Sequence, residues 1–149
     1  DLTLTTDRSL YTASPVSGEG SPRMYGFTVM AQFTNRLSRP VYLERCYPSA
    51  PIPIYGVVPV EGQVEAGYDP VWACVGHDSP IVVAAGETRT DSLRIVGPNA
   101  WDGHTKEPLG ALVGHFQLRY AVGACPEVDG CGGEPRGRGS NNFEVRLEP

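Results

Sequence analysis

The chain has 149 residues, with 12 Lys or Arg against 17 Asp or Glu, for a formal net charge of −5. So sparse and acidic a balance excludes the clustered cations of a nucleic-acid or anionic-membrane surface. No apolar run approaches the ~20 residues of a membrane span, and the length suits one domain, 1–149, with its own core.

Helical periodicity is nearly absent along the chain, and period-two alternation bounded by Gly, Pro, Asn and Asp takes its place. "DLTLTT" puts Leu2 and Leu4 on one face of an N-terminal strand expected over 1–12. "ASPVSGEGSPR" (13–23) follows as a flexible tether. "MYGFTVMAQFTN" (24–35) alternates as Tyr25, Phe27, Val29, Ala31 and Phe33, then stops at Asn35–Pro40. "PVYLERC" (40–46) restarts at once and is expected to pair antiparallel with the run before it. "PIYGVVPVEG" (53–62) and "DPVWACVG" (69–76) read as a further ribbon whose prolines favour edge positions.

"PIVVAAGETRTDSLRIVG" (80–97) holds two strands around Ala85-Gly86-Glu87. "ALVGHFQLRYAVGAC" (111–125) alternates again, with Phe116, Leu118 and Tyr120 on one face. "NNFEVRLEP" (141–149) closes the chain with Phe143, Val145 and Leu147 aligned. The remaining stretches, 99–108 and 126–140, are loops rich in Gly and Pro. Seven to eight strands without a crossover helix predict an all-β fold, an antiparallel β-sandwich of immunoglobulin-like type with long loops.

Cys46, Cys74, Cys125 and Cys131 are even in number and lack metal-type spacing. His77, His104 and His115 are scattered, so no zinc site is expected. Two disulfides in an oxidising compartment are expected instead, with buried free thiols as the alternative. "GHDSP" sets His77, Asp78 and Ser79 side by side, but neighbours on an extended backbone point apart, whereas a catalytic triad converges. A polar turn and no enzyme activity are the expectation. Glu127, Asp129 and Glu134 lack the D-x-D-x-D-G spacing of a calcium loop, so neither metal nor cofactor is expected. Trp72, beside Cys74, suits core packing against a disulfide. Trp101, between Ala100 and Asp102, is the better candidate of the two for an exposed contact with a surface glycan or protein ligand, although loop anchoring is the favoured reading.

The segments "FTNRLSRPVYLERC", "VWAC", "IVVAAGETRTDSLRI", "GHFQLRYAV" and "SNNFEVRL" occur in an order that resembles bacterial domains similar to the intracellular proteinase inhibitor (BsuPI-like) family. The resemblance spans nearly the whole chain. It implies an immunoglobulin-like sandwich of exported and envelope proteins, and the family name implies protease inhibition, although no residue here is assigned to a reactive loop.

The chain begins at Asp1 without a signal segment, as expected of a mature exported product found outside the cell or at its surface. The first strand is the main functional expectation. A tether of about 11 residues spans on the order of 35–40 Å when extended. The strand could therefore fold back on its own sandwich or complete a neighbour's sheet, burying Leu2 and Leu4 with Leu10 and Tyr11 beside them. The expected partners are other copies of the chain, in a structural surface or fibre protein that self-associates by strand addition. A protease-inhibitor-like or other binding module is the alternative.

Cys125 and Cys131 flank a Gly/Pro-rich reversal, and Cys46 and Cys74 sit in separate strands, so the expected bridges are Cys46–Cys74 and Cys125–Cys131. Non-reducing peptide mapping should recover these two pairs, and a Cys46–Cys125 or Cys74–Cys131 peptide would refute both the pairing and the strand placement. Losing the first bridge should cost roughly 3–4 kcal/mol, more than losing the second, because it closes the longer loop.

Overall fold

A computed structural model describes residues 1–16, 18, 20–46, 50–62, 64–71, 80–123, 125 and 138–149. The described residues form strands and no helix. These are β1 (Leu2–Thr6), β2 (Leu10–Pro15), β3 (Tyr25–Asn35), β4 (Val41–Leu43), β5 (Tyr55–Pro59) and β6 (Asp69–Pro70). They continue as β7 (Ile81–Val83), β8 (Thr88–Gly97), β9 (Gly114–Tyr120), β10 (Val122–Gly123), β11 (Arg138–Gly139) and β12 (Phe143–Leu147). Nine of the twelve have three or more residues, so the fold is all-β with more strands than the seven to eight expected.

The β3–β8 ladder is the longest, running in register from Tyr25↔Gly97 to Thr34↔Thr88. Alternation sends Phe27, Val29, Ala31 and Phe33 inward beside Leu93 and Ile95. Thr28, Met30, Gln32, Thr90 and Ser92 face outward. β1 joins β3 on its other edge and β6 joins β8. In the opposing layer β9 is flanked by β5 on one side and by β11 and β12 on the other. β10, β4 and β7 form a separate three-stranded sheet. Among the described strands every pairing is antiparallel except β2 with β12; Ala66 and Ala111 form a parallel bridge outside them. Through Ser14 and Pro15, β2 also pairs with β3, so it links the two layers into one mixed sheet.

Aromatic rings fill the space between the layers. Phe33 of β3 meets Tyr120 of β9 edge-on at 5.1 Å, and Phe27 meets Tyr68 at 5.1 Å. Tyr11, Phe116 and Phe143 complete the cluster. Edge-to-face packing of this kind contributes beyond the area it buries, about 0.5–1.5 kcal/mol per pair.

Two expected pairings are replaced. β3 does not pair with β4, which lies between β7 and β10. Likewise β5 pairs with β9 and β6 with β8, so Tyr55–Pro59 and Asp69–Pro70 do not form a ribbon. The β3–β4 connection carries the chain from one sheet to another, and the β5–β6 connection carries it from one layer to the other within the larger sheet. The reason at the first turn is Asn35, which is fully buried. Its Nδ2 donates to the carbonyls of Arg39, Val83 and Ala84 at 2.9, 3.1 and 3.1 Å, and its Oδ1 accepts from Leu37 N–H at 2.9 Å. These bonds turn the chain out of the β3 plane and seat it against the β7–β8 connection. There Gly86, at φ 79°, adopts the left-handed conformation that glycine tolerates, and its N–H donates to Asn35 O. The Glu87 carboxylate accepts from Ala84 N–H at 2.7 Å.

The start of the expected tether, 13–15, lies within β2, where Ala13 is fully buried. Arg138 and Gly139, at the end of the expected loop 126–140, pair with β9.

Replacing Asn35 by Ala would take their side-chain partner from the carbonyls of Arg39 and Val83 and from Leu37 N–H, while Ala84 O keeps Glu87 N–H; each group left unsatisfied costs about 1–3 kcal/mol. Asn35→Ala is therefore expected to lose at least ~3 kcal/mol in urea unfolding; a loss below ~1 kcal/mol would contradict this role for the carboxamide.

Candidate functional site

The first strand is folded back on its own chain. Arg36 N–H donates to Asp1 O, and Asp7 N–H donates to Met30 O. These bonds bracket the β1–β3 ladder and show that odd-numbered residues turn their backbone groups toward β3. By the alternation of an antiparallel ladder, the N–H and C=O of Leu2, Leu4 and Thr6 point the other way, to the open edge. Among the described residues only β3 pairs with β1. Thr6 N–H is capped by Asn141 Oδ1 at 2.8 Å, and Asn141 Nδ2 donates to Thr6 Oγ1 at 2.8 Å. The open stretch is thus Leu2–Leu4, without a charged side chain from Leu2 to Thr6.

Of the residues expected to serve association, Leu4 and Tyr11 are buried in the core, Leu2 packs against it, and Leu10 is exposed. Leu2 and Leu4 hold β1 to its own sandwich, and Tyr11 holds the corner that follows. The Asp7 carboxylate accepts from Tyr11 Oη at 2.6 Å and from Met30 N–H at 2.9 Å, while Tyr11 Oη accepts from Arg8 N–H at 3.1 Å. Burial opposes the charge on Asp7, but these bonds and nearby Arg8 outweigh it and hold the carboxyl below its ordinary range. Burial and the Asp7 hydrogen bond push the Tyr11 phenol up to about 12. Asp7 and Asn141 did not stand out in the sequence: one precedes "RS" in an ordinary turn pattern, the other sits in "SNN", and only long-range pairing gives either a role.

A second polar cluster crosses the layers. Arg89 grips Asp91 with two bonds of 2.7 and 3.0 Å, Tyr55 Oη donates to Asp91 Oδ2 at 3.1 Å, and Arg89 also donates to Pro51 O. Burial and the Asp91 carboxylate push the Tyr55 phenol up. Both Asp91 oxygens are occupied, which suits a structural tie between β8 and β5.

Trp101 is 40% exposed and Leu109 63% exposed. They stand on an ordered loop in which the Asp102 carboxylate accepts from His104 and Thr105 N–H, and Trp101 bridges to Pro108. His115 is exposed on β9 at an open cleft of about 470 Å³ shared with Val60, Val64 and Val113.

Cys46 and Cys125 are both disulfide-bonded, and no described cysteine is free. They leave the β4–β10 ladder at opposite ends, since Val122 opposes Leu43 and Gly123 opposes Tyr42. Cys74, Cys131, His77, Asp78, Ser79, Trp72, Glu127, Asp129 and Glu134 lie outside the described residues. Among the described residues no group of His, Cys, Asp and Glu could hold a metal ion, and no helix is long and apolar enough to cross a membrane. No protein-family model matches the chain, and no curated protein matches it.

The Asp7–Tyr11 pair sets a pH window for the corner. A carboxyl held below its unfolded value stabilises above that value and loses the contribution as the pH falls through the folded one. A phenol held above its unfolded value stabilises below that value and loses the contribution as the pH rises through about 12. Exchange protection of the Thr3, Thr5 and Asp7 amides should therefore fall selectively below the ordinary carboxylate value of 3.8, and Asp7→Ala should remove that acid dependence. Unchanged acid behaviour in Asp7→Ala would rule out this latch.

Proposed function

We propose that the chain is a non-catalytic, immunoglobulin-like sandwich, exported to the cell surface or exterior, that builds assemblies by β-strand addition at its first strand. The observation that carries this reading is the open edge of β1, with the backbone groups of Leu2 and Leu4 directed outward and no charge along the strand. Unpaired edges of this kind are templates for another strand unless charge, proline or a bulge blocks them.

The immunoglobulin-like assignment draws support from strand order. One layer reads β1-β3-β8-β6 and the other β5-β9-β12-β2, the first segment of the chain being divided between them. That order parallels the A-B-E-D and C-F-G sheets of such sandwiches. The motifs behind the resemblance to intracellular proteinase inhibitor domains support the fold in the same way. Asn35, Gly86-Glu87 and Ser140 all make bonds between elements: Ser140 Oγ accepts from Leu118 N–H at 3.0 Å. The bonded Cys46 and Cys125 favour an oxidising home.

A second reading, a protease-inhibitor-like binding module, is favoured by the ordered loop that presents Trp101 and Leu109. Sedimentation across a wide concentration range, paired with titration against serine proteases, separates the two. Concentration-dependent growth without inhibition is expected. A strictly monomeric species that inhibits a protease stoichiometrically would replace the first reading with the second.

A further inference from the structure

We infer that the partner strand at the β1 edge is β1 of a second copy, paired antiparallel about a two-fold axis at Thr3. This deepens the proposed self-association, on which it rests, by naming the occupant and its register.

The geometry of the edge selects the register. Asn141 already occupies Thr6 N–H, so an incoming strand finds both N–H and C=O free only at Leu2 and Leu4. A second β1 run antiparallel meets this requirement when Leu2 lies opposite the other copy's Leu4. Each Leu2–Leu4 pair then exchanges two hydrogen bonds, and both copies are satisfied identically, as an isologous contact requires. Thr3 falls opposite Thr3 in the non-hydrogen-bonded position between them, where Cα atoms approach to about 4.5 Å. No charge on Leu2–Thr6 opposes the approach.

The outer face supports the same register. Thr3 lies beside Thr34, and Thr34 beside Thr88, in one row across β1, β3 and β8. The Thr34 and Thr88 hydroxyls already share a 2.9 Å hydrogen bond. Two-fold pairing at Thr3 extends this row without interruption into the second copy, and cross-strand threonine pairs are favourable neighbours on a sheet. A shift of two residues would either set Leu2 against Thr6, whose N–H is already capped, or set Leu2 against Leu2 and leave Leu4 unpaired. The leucine side chains stay in their own cores throughout, so the contact requires no strand to leave its sandwich.

The test uses the whole chain. Thr3→Cys should give a dimer held by a reducible cross-link, and Thr5→Cys should not, because the two Thr5 positions stand about 13 Å apart in this register. Thr3→Lys and Thr3→Glu should each weaken association about tenfold or more, since like charges meet at the axis, and mixing them should restore it as a heterodimer. Restoration on mixing shows that the single variants are folded. Association of the native chain with no Thr3→Cys cross-link, or with Thr3→Lys and Thr3→Glu both unaffected, would overturn the register and leave strand addition standing. A native chain that is monomeric at every concentration would overturn both.

Discussion

The Asn35 carboxamide is the constraint from which the arrangement of sheets follows. A backbone leaving β3 has two courses, a hairpin beside the same strand or an arch into another sheet. Asn35 offers two donors and an acceptor at that point, and all are used by groups from the arch and from the β7–β8 connection. Because Asn35 is fully buried, losing these partners would leave buried polar atoms unsatisfied. The arch therefore wins over the hairpin, β4 goes to its own sheet, and the β3–β8 ladder is extended by Asn35 N–H bonding to Glu87 O.

Two polar ties then hold the layers in place at different points. Asp91, Arg89 and Tyr55 join β8 to β5 in the interior, where a paired charge is tolerable because every carboxylate oxygen has a partner. Asp7 and Tyr11 do the same at the corner where the first segment of the chain passes from one layer to the other. Between the ties the aromatic cluster supplies the apolar burial. Polar groups decide where the sheets meet, and rings fill the space left between them.

Strand positions were legible because burial on one face writes period two into the sequence: Phe27 to Phe33, Phe116 to Tyr120 and Phe143 to Leu147 all lie where alternation places them. Partners were not legible. Alternation shows which face is buried but not which strand lies alongside, and successive strands are neighbours only part of the time. The turn at Asn35–Pro40 reads equally well as hairpin or arch from its composition. Likewise "LYTASP" carries no mark of pairing with the far end of the chain, and by composition Ala13 reads as the start of a tether. At the candidate edge, Leu2 and Leu4 could be read as an apolar face. The Asn141 cap and the Asp7 latch arise from residues brought together by folding and left no local pattern.

The parallel pairing of β2 with β12 has a mechanical consequence. Leu10–Ala13 runs in the same direction as Glu144–Leu147, the last strand of the domain. A pull applied at Leu10 and Leu147 therefore acts along these strands and tries to slide one past the other. The hydrogen bonds of that ladder share the load and must give way together, whereas a pair pulled open from one end would fail bond by bond. Tension between those two positions loads the ladder in shear, a property that stretching single molecules held there reads directly.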